Sequence, residues 1–189
     1  MRNAIGVSSV LWLALVGCAP PEAPPGDTTP AEPGSTELLP KPFTSEQIRD
    51  EMGLGLSIVL RHTTADEVAL HRWTVVAADD EGVEIEYATI DESGQPLGEP
   101  RREWSGWDEL RDHATFFGRT TTRERVELAT PLGTLAGWLY RTEESDPGSI
   151  RETFFADALP GAPVFARTTE GGRVVAEVVQ LERSRAGDR

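Results

Sequence analysis

The sequence predicts a mainly β (α+β) domain: a single curved antiparallel sheet, or half-barrel, of about nine strands with two short helices. Three observations predict it. Apolar and polar residues alternate through most of the chain beyond Phe43. Clusters rich in glycine, aspartate and proline separate those runs at short intervals. Only two stretches combine helical spacing with a capping residue in front.

The first of these stretches is Thr44-Ser45-Glu46-Gln47 before Ile48, where a hydroxyl of Thr44 or Ser45 meets the free amides of a first turn. Gly53 or Gly55 ends that helix. The period then becomes two. Leu56, Ile58 and Leu60 share one face of a strand, and Trp73, Val75 and Ala77 share one face of the next. In Val83-Glu84-Ile85-Glu86-Tyr87 the apolar and acidic side chains alternate cleanly, as in a half-buried strand.

The turns fall at Asp79-Asp80-Glu81-Gly82, Glu92-Ser93-Gly94-Gln95, Pro131-Leu132-Gly133 and Glu170-Gly171-Gly172-Arg173, so consecutive strands are antiparallel. One interruption follows Ser105, which is placed to cap a helix carrying Trp107, Leu110 and Ala114. Strands resume at 121 to 129, 134 to 142, 150 to 156, 163 to 169 and 173 to 183. In Leu135 to Tyr140 both faces are apolar, which suits a strand covered on both sides.

Ahead of the domain, Met1-Arg2-Asn3 followed by the apolar run Val7 to Val16 reads as an export signal. That run is about half the roughly twenty residues a membrane-spanning helix needs. Residues 18 to 42 are crowded with proline, glycine, threonine and glutamate, a composition that cannot bury enough apolar surface to order itself. The expected organisation is a leader at 1 to 17, a disordered linker at 18 to 42, one domain at 43 to 183 and a disordered tail at 184 to 189. The single cysteine, Cys18, permits no internal disulfide.

Leu15-Val16-Gly17-Cys18 resembles the lipobox of bacterial lipoproteins. The resemblance implies cleavage between Gly17 and Cys18, a diacylglyceryl thioether on Cys18 and acylation of the new amino terminus. Buried acyl CH2 groups contribute about 0.8 kcal/mol each, so several chains on one residue anchor a domain durably. Ala19, which is not aspartate, implies by the same resemblance the outer membrane, facing the periplasm. A second resemblance rests on the strand, Pro131-Leu132-Gly133-Thr134 turn and strand, with the later Pro160-Gly161 segment. It is similar to uncharacterised bacterial envelope proteins whose curved sheets look like the half-barrels of lipoprotein carriers.

A net charge of −14 argues against nucleic acid and against electrostatic docking on anionic lipid, so the membrane is reached through Cys18 itself. No cofactor motif is present. His62 and His71 fall where a hairpin brings them near each other, but neither has metal-ligand spacing, and His113 suits a helix end; no metal site is expected. No serine lies in a nucleophile elbow, and the acidic runs Asp79-Asp80-Glu81 and Glu143-Glu144 read as solvated turns. The expected function is therefore non-catalytic, in protein interaction or support of an envelope assembly. An alternative is an apolar-ligand module lined by Trp73, Tyr87, Trp138, Tyr140, Phe154 and Phe165. A hydrolytic enzyme ranks third.

Overall fold

A computed structural model describes residues 37–187; the leader, Cys18 and the linker before residue 37 lie outside the described residues. The elements run α1 (Ser45–Glu51), β1 (Leu56–Thr64), β2 (Val68–Ala78), β3 (Gly82–Ile90), β4 (Arg101–Gly106) and α2 (Trp107–Asp112). Then follow β5 (Thr121–Thr130), β6 (Gly133–Glu143), β7 (Ser149–Ala156), β8 (Phe165–Glu170) and β9 (Arg173–Arg185). All nine strands form one open antiparallel sheet, ordered β4-β3-β2-β1-β9-β8-β7-β6-β5. The chain meanders from β1 out to one edge, crosses by α2 to the other, and meanders back until β9 pairs with β1.

The first helix forms as its sequence suggests. Thr44 Oγ1 accepts from the Gln47 amide at 3.2 Å and Gln47 Oε1 accepts from the Thr44 amide at 2.9 Å, a reciprocal cap. The second helix differs from expectation. Its N-cap is Gly106, while Ser105 is the penultimate residue of β4, paired with Val83 and buried. A serine claimed by a strand ladder is not available to cap.

Residues directly opposed across an antiparallel pair share a face. The register therefore sorts the side chains into two cores. On one face Ile58, Val75, Val83, Ile85, Tyr140 and Phe155 pack under Phe43, Ile48, Met52 and Trp107 of the helical layer. On the opposite, outer face Leu139, Phe154, Ala156 and Val164 pack with Val126, Leu128, Leu135 and Phe165. The β5–β6 hairpin runs past its last pair with β7, Gly137 to Ala156, and its far end supplies the outer core. A Cβ at Gly137 would lie 2.0 Å from the Phe155 carbonyl oxygen, so only glycine permits this crossing.

Four more features differ from the sequence reading. The fold takes up the chain before residue 43: Leu39 is buried, its amide donates to Phe116 O at 2.9 Å, and Tyr140 Oη donates to Pro40 O at 2.6 Å. The segment ahead of residue 43 is thus tied to the domain, Leu39 through Phe116 and Pro40 through Tyr140, a hundred residues on. Arg101–Gly106 forms a strand the sequence did not disclose, because an edge strand with four exposed residues carries no apolar alternation. A bulge between Val75 and Ala77 sets Ala77 opposite Glu84, on the outer face and away from Trp73 and Val75. At the other end β9 continues to Arg185, beyond residue 183.

Candidate functional site

The six aromatic candidates divide between the two faces. Trp73 and Tyr87 oppose each other across β2 and β3 on the helix-covered face, rings 5.4 Å apart and edge-on. Trp138 and Tyr140 lie on the same face in β6. Tyr140 is fully buried, stacked on Phe116 at 4.1 Å and edge-on to Phe155 at 5.8 Å. Burial pushes its hydroxyl up to about 12, against the opposing charge of Arg123. The Arg123 guanidinium sits 3.5 Å from the centre of the Trp138 ring, a cation–π contact. Phe154 and Phe165 oppose each other across β7 and β8 on the outer face, with Phe154 fully buried.

The helix-covered face at Tyr140 is therefore filled by the chain's own rings. Phe43, Phe116 and Phe155 occupy the space between helical layer and sheet where an apolar ligand would lie. The outer face keeps an opening. A groove of about 370 Å³ lies beneath the β5–β6 turn, its apolar lining supplied by Leu128, Pro131, Leu139, Phe165 and Val179. Of the six candidates only Phe165 lines it.

The polar end of that groove is a row of charges absent from the sequence reading. Glu152 faces Arg141, which bonds it at 2.7 Å, and Arg167, whose Nε bonds it at 3.1 Å, with Arg61 at the groove edge. Hydrogen bonds from Arg167, then from Arg141, hold the Glu152 carboxyl below its ordinary range. Arg141, Glu152 and Arg167 sit on three consecutive strands, and the register of the two hairpins sets Glu152 directly opposite both arginines. Arg61 reaches their end of the groove only because β9 pairs with β1, a closure that no local stretch of sequence discloses.

His62 and His71 are brought together as the hairpin reading expects, rings 6.3 Å apart and tilted. His71 Nδ1 lies 3.4 Å from Thr89 Oγ1. Burial, and after it the charge of His62, lowers the His71 pKa, while Glu67 opposes. Among the described residues no group of three histidine, cysteine or acidic side chains converges. The acidic turns serve the backbone: Asp79 Oδ1 accepts from the amides of Glu81 at 2.8 Å and Gly82 at 3.1 Å. A second, polar cleft of about 540 Å³ between α1 and α2 includes Glu46, Asp80 and Glu81, and at its edge Ser45 Oγ donates to Asp108 at 2.6 Å. His113 ends α2.

No family model matches the chain, and no curated protein matches its sequence. Solved structures do share the fold. The chain is similar to MucB with a TM-score of 0.51 at 10% identity, covering 76% of this chain and 58% of MucB. In the Pseudomonas aeruginosa MucA/MucB complex the score is 0.50 at 11% identity, over 74% of this chain and 54% of that one. A protein from Parabacteroides distasonis, described provisionally as a lipoprotein, matches at 0.42 and 10% identity over 70% and 96% of the two chains. The chain thus spans little more than half of MucB, with which it shares a curved antiparallel sheet.

Proposed function

We propose that this chain is a non-catalytic lipoprotein of a bacterial cell envelope, anchored by lipid on Cys18 after cleavage behind Gly17, whose sheet domain works through protein contacts. The anchor is assigned to the outer membrane, facing the periplasm. The observation that carries the interaction role is the filling of the helix-covered face: rings of the chain itself take the place of a ligand, leaving an open-edged sheet as the working surface. The solved MucA/MucB complex supports the reading, since a protein sharing this fold assembles with another protein. A second reading, an apolar ligand in the outer-face groove, is supported by the 370 Å³ opening and its Leu139, Phe165 and Val179 floor.

Two measurements on the full chain in a bacterial envelope test the proposal. Mass spectrometry of the N-terminal peptide is expected to show an acylated Cys18, and Cys18→Ala to release the chain from membranes. An unmodified Cys18 on a membrane-bound chain overturns the anchor. In vivo crosslinking from the domain surface is expected to trap a defined protein partner; a stoichiometric extracted amphiphile with no protein crosslink would replace the first reading by the second.

A further inference from the structure

We infer that the β5 edge of the sheet is an interface between two copies of this chain, joined as antiparallel strands centred on Val126. β5 ends the sheet with ten residues, whereas the opposite edge strand, β4, has six. The direction of its backbone groups follows from the ladder. Thr120 O accepts from the Glu143 amide at 2.7 Å. In antiparallel pairs, residues that exchange hydrogen bonds alternate with residues that do not. The even-numbered residues of β5 therefore bond to β6, and Arg123, Arg125, Glu127 and Ala129 turn their N–H and C=O groups outward.

Edges are ordinarily protected by proline, a bulge, shortness or charge. β5 has no proline and no register shift, and it is long. Charge remains, and its pattern selects the partner. With the two-fold axis at Val126, Arg125 opposes Glu127 of the second copy and Glu127 opposes its Arg125, while no like charges meet. Moving the axis to Glu124 sets Arg123 against Arg125. Moving it to Arg125 or Glu127 sets that residue against itself. Opposite charges directly across a pair stabilise it and like charges destabilise it. The Val126 register also lets all four outward residues exchange both of their backbone hydrogen bonds, and puts the two valines together beside the outer core. Arg125 already meets Asp157, which positions the guanidinium on the helix-covered face that Glu127 shares.

One strand pair buries little surface, so free chains are expected to associate weakly. Two copies held in one membrane have a raised effective concentration, and here the inference rests on the lipid anchor proposed above. The test is disulfide trapping of the full chain in an oxidising bacterial envelope. In Val126→Cys the two cysteines form a non-hydrogen-bonded pair with Cβ atoms about 5 Å apart, within small adjustment of disulfide reach. A dimer band is expected on a non-reducing gel. Thr122→Cys alone is expected to give none, because its copies lie about 26 Å apart, eight positions at ~3.3 Å each. Thr122→Cys with Thr130→Cys is expected to restore the band.

Within Val126→Cys, adding Glu127→Arg is expected to weaken the band at least several-fold, and adding Arg125→Glu with Glu127→Arg to recover it. A folded Val126→Cys chain without a dimer band overturns the interface. Equal bands from Thr122→Cys and Val126→Cys overturn the register, as does failure of the charge exchange to rescue. Failure of the anchor reads differently: the unaltered chain would itself form dimers through a free Cys18.

Discussion

Replacing Tyr140 by phenylalanine separates the two roles of that side chain, ring packing and a hydrogen bond to the lead-in segment. The ring stays against Phe116 and Phe155, so no cavity opens. What is lost is the 2.6 Å bond from Oη to Pro40 O. Pro40 is exposed, and water can take up its carbonyl, so the loss is near the net worth of one hydrogen bond, about 1 kcal/mol. At alkaline pH the sign reverses. The Tyr140 hydroxyl moves from an ordinary value of 10.0 to about 12 in the fold. The folded state therefore holds its proton where the unfolded chain has released it. The resulting stability is fully present below pH 10 and is lost as pH rises through about 12, an amount on the order of 2 to 3 kcal/mol at 1.36 kcal/mol per unit. Tyr140→Phe has no such proton to lose. Urea unfolding at pH 8 is expected to show the variant weaker by about 1 kcal/mol with an unchanged slope, and the gap is expected to close or invert by pH 12. Tyr87, the other tyrosine, is present in both chains and cancels in the difference. Equal stability at pH 8, or parallel alkaline losses in the two chains, would refute the reasoning.

Gly137→Ala is expected to cost at least about 3 kcal/mol, because its Cβ would meet the Phe155 carbonyl at 2.0 Å and the Ala156 Cα at 2.8 Å, both backbone atoms that cannot rotate away. Thermal unfolding of the variant checks this, and a melting point within about 2 °C of the parent would contradict the crossing described at that glycine. His71 is expected to make the fold acid-sensitive. Its pKa is lowered in the fold, so its contribution is present above the unfolded value of 6.5 and lost as pH falls below it. His71→Gln should flatten the stability curve between pH 7 and pH 5; an unchanged slope would assign the acid limb to other groups.

The sequence by itself determined the antiparallel class, a first helix capped by a hydroxyl at Thr44 or Ser45, the hairpin turns and the alternation of β1 and β3. Each depends on residues within one turn or one strand, where steric preference and hydrophobic period act locally. It also marked Leu135 to Tyr140 as apolar on both sides, and the two cores explain why: Trp138 and Tyr140 meet the helical layer while Leu135 and Leu139 meet the outer cluster. The β9–β1 closure was not legible, nor was the hairpin register that aligns Arg141, Glu152 and Arg167, nor the division of the six aromatic candidates between faces, nor the bonds that tie Leu39 to Phe116 and Pro40 to Tyr140. The edge strand β4 and the bulge at Val76 escaped for a related reason. An edge needs no apolar face, and a bulge changes which side a residue faces without changing its type. Local sequence carries the period of a strand, but its neighbours are set by which faces the whole chain can bury at once.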